Sequence, residues 1–232
     1  MIKIYPYKEL GRMDISWLKA KYHFSFSRYY NPDRLGFGKL KVINDDIVKA
    51  HSGFDTHPHR DMEIITYVRK GAITHEDSEG NKGKTEAGDV QVMSAGSGIA
   101  HSEHNIEDED TLLYQIWIEP HTENIKPAWS AAKFPKQLND NSLPLLVSGR
   151  PEDETNDVLH INQFASIYGG RIKKGSTIEH SIKDQLYILL SEGTAEIEGE
   201  LINKGDGCEV TEQKSINIKA LEECEIVIID TP

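Results

Sequence analysis

His57 and His59 stand two apart in the segment GFDTHPHRDME, residues 53–63. On an extended chain alternate side chains share a face, so both imidazoles can point into one cavity. His101 and Glu103 repeat that spacing inside GDVQVMSAGSGIAHSEHN, residues 88–105. Two such pairs on neighbouring strands would converge three imidazoles and one carboxylate. That donor set suits Fe(II), Mn(II), Ni(II), Cu(II) or Zn(II), and it leaves positions open for substrate or dioxygen if the metal takes five or six ligands. Either pair alone is a weak signal, because a lone His-x-His is more often a surface or turn feature. The combination of both pairs around a Gly-Asp turn is much sharper. Gly96 and Gly98 allow the backbone to fold tightly near such a cavity. His23, His51, His75, His121 and His160 match no ligand spacing.

The elements that must position these residues read as strands. Residues 38–48, 63–69 and 111–119 are rich in Ile, Val, Tyr and Trp, and turn clusters such as Asp77-Ser-Glu-Gly-Asn81 punctuate them. Many short strands with regular turns predict an all-β sandwich or barrel. Residues 120–142 hold Pro120, Pro127 and Pro135 and read as a linker with one short helix near 128–133. Beyond it the strand pattern resumes as a worn copy of the first half. Gly71 and Gly193 close similar apolar runs, and the Gly-Asp pairs at 88–89 and 205–206 follow them. Such a repeat implies two similar β-domains. Thirteen positions lead from Gly88 to His101, but from Gly205 they lead to Ile218. His180 lies near the first-motif position of the second copy, with Ile182 two residues later. The second copy is therefore expected to bind no metal and to shield the exposed sheet of the first.

Bulk properties narrow the partners. A formal net charge of −12 over 232 residues disfavours direct binding to nucleic acid or to an anionic membrane. No stretch approaches the about 20 apolar residues of a membrane span. The charged N-terminus lacks a signal-peptide core, so a cytoplasmic address is expected. Two cysteines, Cys208 and Cys224, make no disulfide framework and are expected to be reduced and partly buried.

Four stretches carry a family resemblance: WLKAKYHFSFSRYYNP (17–32), LGFGKLKVINDD (35–46), THPHRDMEIITYVRKG (56–71) and the 88–105 segment. The chain resembles the pirins, a branch of the cupin superfamily, and especially the bacterial pirin-like bicupins described as quercetin 2,3-dioxygenases. Ser94 stands where many cupins have proline, as in pirins. The resemblance is dense in the first half and weak in the second. It implies an all-β bicupin of two antiparallel β-barrels of the double-stranded β-helix, or jelly-roll, type packed together. Residues 1–130 would form the metal-binding barrel and 131–232 a degenerate one.

By the same resemblance the ligands are His57, His59, His101 and Glu103, holding one divalent ion. Iron is the first expectation, with Zn, Mn, Ni or Cu as alternatives. In the broader superfamily the carboxylate often follows the His-x-His motif, which here points to Glu63. Since Glu63 shares strand parity with the histidines, that alternative stays open. The implied activity is cleavage of a flavonol by dioxygen, with Glu103 as general base and Phe54, Met93 and Trp117 as cavity walls. The other implied role is a redox-sensing partner of a transcription regulator.

Overall fold

The computed structural model describes residues 1–155 and 157–232. Among the described residues twenty-three strands follow one another. The first six are β1 (Ile2–Tyr5), β2 (Gly11–Asp14), β3 (Leu18–Tyr22), β4 (Leu40–Val48), β5 (Ser52–His59) and β6 (Glu63–Lys70). Next come β7 (Ala72–Asp77), β8 (Lys82–Glu86), β9 (Val90–Ser94), β10 (Ile99–Asn105), β11 (Thr111–Ile118) and β12 (Ala128–Ala132). β13 (Leu138–Asn139), β14 (Leu145–Ser148), β15 (Leu159–His160), β16 (Ser166–Ile172), β17 (Thr177–Ser181) and β18 (Gln185–Glu192) follow. The chain ends with β19 (Thr194–Ile197), β20 (Glu200–Asn203), β21 (Gly207–Val210), β22 (Ser215–Ala220) and β23 (Cys224–Thr231). Helix among the described residues is limited to the 3-10 turns Tyr7–Glu9 and Pro151–Asp153. Among the described residues no helix is long and apolar enough to cross a membrane.

These strands form four sheets, arranged as the two jelly-roll-type halves that were expected, although the sheets do not close into barrels. A seven-stranded sheet, ordered β12-β9-β6-β11-β4-β3-β2, faces a four-stranded sheet, β5-β10-β7-β8. The second half repeats the plan, with an eight-stranded sheet built on β1-β21-β18-β23-β16-β14-β15 and a four-stranded sheet, β17-β22-β19-β20. Each half is a jelly-roll-like pair of sheets, because the hydrogen-bonded ladder breaks between the large and the small sheet. The internal repeat survives in the turns. Gly71 joins β6 to β7 and Gly193 joins β18 to β19, both at positive φ where a β-carbon would be strained. The N-terminal strand crosses over: β1 pairs with β21 of the second half.

Residues 128–132, expected as helix, form strand β12 paired with β9. An isolated helix of one or two turns is marginal in water. An edge strand instead satisfies the free backbone of β9 and lets Trp129 pack between the sheets with Met93 and Ile99.

The central strands β9, β6, β11 and β4 of the seven-stranded sheet are largely buried on both faces. Ile43, Ile65, Tyr67, Tyr114 and Ile116 pack with Ile167, Tyr187, Leu189 and Val227 of the second half in one continuous cluster. The opposite face carries Val48, Val68 and Leu113, which pack against Ile73 of the small sheet. The second sandwich has its own core, which includes Ile178, Ile188 and Ile218. Fully burying each such aliphatic side chain contributes about 1.5–3 kcal/mol, so the shared cluster holds the two halves together strongly. Cys208 and Cys224 are buried free thiols.

Two histidines outside the candidate site are buried without charge. His23 contacts the Tyr187 hydroxyl through Nδ1 at 3.0 Å, and burial, helped by Arg34 and Arg69, pushes its pKa down to about 3. His180 packs edge-on against Tyr168, and burial pushes it down to about 4. The unfolded chain takes up these protons near pH ~6.5, whereas the folded chain refuses them until far lower. Their contribution is therefore complete above pH ~6.5 and is lost as pH falls towards 4, at about 1.4 kcal/mol per pH unit for each histidine. Denaturant unfolding between pH 6 and 4.5 is expected to show this slope, and His23→Gln or His180→Gln should each flatten it by about that amount. An unchanged slope in both variants would contradict the assignment.

Candidate metal centre

The site is assembled on β5 and β10. β5 is the edge of its sheet, which is where Pro58 is tolerated between the two histidines. His57 lies directly opposite His101, and His59 opposite Ile99. The register then shifts, so that Glu103 opposes Phe54. This bulge leaves the Asp55 carbonyl free to turn toward His57, whose Nδ1–H donates to it at 2.7 Å.

Three imidazoles meet here. Ring centroids are 4.8 Å apart for His57 and His59, 4.5 Å for His57 and His101, and 5.0 Å for His59 and His101. One nitrogen of each lies within 4.8 Å of the others. Burial first, then the neighbouring imidazoles, push His101 down to about 3 and His59 down to about 4. Both are therefore neutral near pH 7, with lone pairs available. His59 Nε2 and His101 Nε2 are buried and have no hydrogen-bond partner. Unpartnered buried acceptors facing one another are costly unless a cation fills the space between them. The His57, His59 and His101 group thus has the chemistry of a divalent metal site.

Glu103 borders the same cavity but is not one of the three close donors. Its carboxylate accepts hydrogen bonds from Gln91 Nε2 at 2.6 Å, from Thr66 Oγ1 at 2.9 Å and from Gln115 Nε2. Glu63 lies elsewhere. Its Oε2 accepts from Ser94 Oγ at 2.6 Å, and burial, opposed by Ser94 and the Asn162 backbone, raises its pKa. Thr66, three residues along β6, points to Glu103, which puts Glu63 on the opposite side of that strand.

A cavity of about 300 Å³ opens beside the imidazoles. Trp17, Phe26, Phe54 and Trp117 supply aromatic walls, while Asn44, Asp46, Glu103 and Gln115 supply a polar floor. Phe54 and Trp117 were expected there. Met93 is corrected: it packs with Ile64, Ala95 and Ile99 outside the cavity lining. Asn44 Oδ1 and Asp46 Oδ1 are buried without partners. Burial, with Asp45 and Glu103 nearby, pushes the Asp46 carboxyl well above the ordinary carboxylate range. Asn44 and Asp46 were legible only as alternate residues of a strand with no ligand spacing. His75, which matched no ligand pattern, lies against His101 with its Nδ1 3.4 Å from the His101 Nδ1.

Comparison with known proteins agrees with this architecture. Residues 4–118 match the pirin family, and residues 145–231 match the quercetinase C-terminal cupin domain. A pirin-like protein of Caulobacter vibrioides is 47% identical over 232 residues, covering 99% of each chain. The quercetin 2,3-dioxygenase of Escherichia coli K12 is 37% identical, covering 100% of this chain and 99% of that protein. The crystal structure of the bacterial pirin YhhW from Escherichia coli, in complex with nickel(II), superposes with a TM-score of 0.92. It shares 36% identity and covers 100% of this chain and 99% of that one. Sequence and fold agree along the whole chain, so this protein belongs to the pirin family, with two cupin-type halves.

Proposed function

We propose that this chain is a metal-dependent dioxygenase that cleaves flavonols such as quercetin. The observation that carries the reading is the set of neutral imidazoles with unpartnered Nε2 atoms at the edge of an aromatic-walled cavity that Glu103 also borders. The names of the relatives support the substrate class. His57, His59 and His101 would hold the ion, with Glu103 as the fourth donor or as the base beside it. Iron is the first candidate, and nickel, zinc, manganese and copper suit the same donors. A bound divalent ion supplies Lewis acidity toward an enolic hydroxyl and a partner for dioxygen.

The chain's own residues have distinct tasks. Trp17, Phe26, Phe54 and Trp117 stack on the planar rings and exclude water. Asn44 Oδ1 accepts a hydrogen bond from a phenolic hydroxyl, and Asp46 Oδ1, likewise buried and unpartnered, faces a second polar group of the substrate. Glu103, oriented by Gln91, Gln115 and Thr66, takes the proton of the flavonol 3-hydroxyl on a carboxylate oxygen. Dioxygen then adds across the activated ring. The O–O bond and the two ring C–C bonds to the carbon bearing the 3-oxygen break, and that carbon leaves with its oxygen as carbon monoxide. Both atoms of dioxygen end in the depside, and Glu103 returns its proton to the carboxylate of the depside.

Elemental analysis of protein purified without chelators is expected to find about one transition metal per chain. The double variant His57→Ala, His59→Ala should lose most of it, because two of three imidazole donors are gone. Full occupancy in that variant would overturn the site. Glu103→Gln keeps the shape but removes the base, so flavonol cleavage should fall by at least about a hundredfold at matched metal content. Glu63→Gln should fall far less. Flavonol absorbance and dioxygen uptake, followed together, check both. Absence of turnover in the wild type with each of the five metals would overturn the dioxygenase reading.

A further inference from the structure

We propose that His75, locked by Asp77, is the positioning residue that fixes the tautomer of His101 and so aims its Nε2 lone pair at the metal position. The inference rests on the metal-site reading above. Its structural basis is a buried chain of three side chains. Asp77 Oδ2 lies 2.9 Å from His75 Nε2, and His75 Nδ1 lies 3.4 Å from His101 Nδ1. Beyond it, His101 Nε2 has no partner. The side chains of His75 and Asp77 are 1% and 0% exposed, so water does not compete for these contacts.

The proton positions follow from Asp77. Oδ1 accepts hydrogen bonds from the backbone N–H groups of Glu79 and Asn81, each at 3.0 Å. Asn81 Nδ2 donates to both oxygens. Burial pushes the Asp77 carboxyl up, but the hydrogen bonds from His75 and Asn81 outweigh it and hold the pKa below its ordinary value. An anionic acceptor requires a donor opposite it, so His75 carries its proton on Nε2. With that proton directed at Asp77, the relay uses His75 Nδ1 as the acceptor facing His101. His101 must meet that acceptor with an N–H on its own Nδ1. Its Nε2 is left unprotonated, facing His57 and His59. A ligand imidazole held through its second nitrogen in this way is oriented and made a better donor.

Packing prevents His75 from turning away. The Trp129 indole stacks on its ring at 5.0 Å between centroids, with an interplanar angle of 9°. Gly83 makes room for that indole, since a β-carbon at 83 would stand 2.2 Å from Trp129 Cη2. The support differs for each of the three imidazoles. His57 is held by a backbone carbonyl, and His101 by this side-chain relay. His59 instead packs edge-on against Trp117, at 4.9 Å between centroids.

Calorimetric titration of chelator-stripped protein with nickel(II) tests the proposal. Thermal unfolding of the metal-free protein and nitrogen-15 imidazole spectra accompany it. His75→Phe keeps a ring under Trp129 but removes both nitrogens, and it should weaken nickel binding by about 10- to 100-fold, measured under conditions where the metal-free variant is still folded. His75→Gln retains a donor toward Asp77 and an acceptor toward His101, and it should restore most of the affinity. In the metal-free wild type, the His101 proton is expected on Nδ1. Wild-type affinity in His75→Phe would overturn the proposal, and so would a His101 proton on Nε2. If the wild type binds no nickel, the metal-site reading fails by itself, and the imidazole spectra still decide the tautomer.

Discussion

The central strands β9, β6, β11 and β4 of the seven-stranded sheet are largely buried on both faces, and this constraint sets the geometry of the site. Each of these strands must deliver alternate side chains into two separate dry environments. Along β11, Tyr114, Ile116 and Ile118 go to the contact with the second half, while Gln115 and Trp117 go to the cavity. Along β4, Ile43 faces the second half, while Asn44 and Asp46 line the cavity. A slip of one residue would exchange these sets and place amides and a carboxylic acid in an aliphatic cluster. The second sandwich thus has a direct bearing on the site. By covering one face of the sheet, it fixes the register that presents the polar floor on the other.

The small sheet adds the imidazoles and lies across from that floor. Its residues converge because β5, β10 and β7 are adjacent, with β10 between the other two. His101 therefore has His57 on one side and the His75–Asp77 pair on the other. Dry surroundings keep His59 and His101 neutral, and they also make unpartnered nitrogens costly. The same burial that prepares the ligands creates the demand for a cation. Beside them, aromatic walls and a hydrogen-bonding floor suit a planar ligand bearing several hydroxyls.

Much of this was legible in the sequence, because a strand has a period of two. His57 with His59, and His101 with Glu103, could be read as pairs sharing a face, and the Gly-Asp turns marked the repeat of the two halves. Contacts across strands were not legible. His75 belongs to β7 and meets His101 only through the register of β7 with β10, which no local spacing encodes. Trp129 lies in the proline-rich stretch read as a linker with a short helix, and its pairing with β9 is a tertiary choice. Glu63 shares numerical parity with His57 and His59, but the chain reverses between β5 and β6 at Asp61, which has positive φ. That reversal breaks the parity. Closure of the sheets is likewise a matter of which edges bond, so open sandwiches and barrels read alike in sequence.

The central claim is that one divalent ion sits among the Nε2 atoms of His57, His59 and His101. Anomalous diffraction at the metal edge, from crystals of nickel-loaded protein, tests it most directly. The expected result is a single strong peak per chain, within bonding distance of all three Nε2 atoms and bordering the aromatic cavity. A peak elsewhere, bonding through the Nδ1 of His101, or no ordered metal at all would contradict the account.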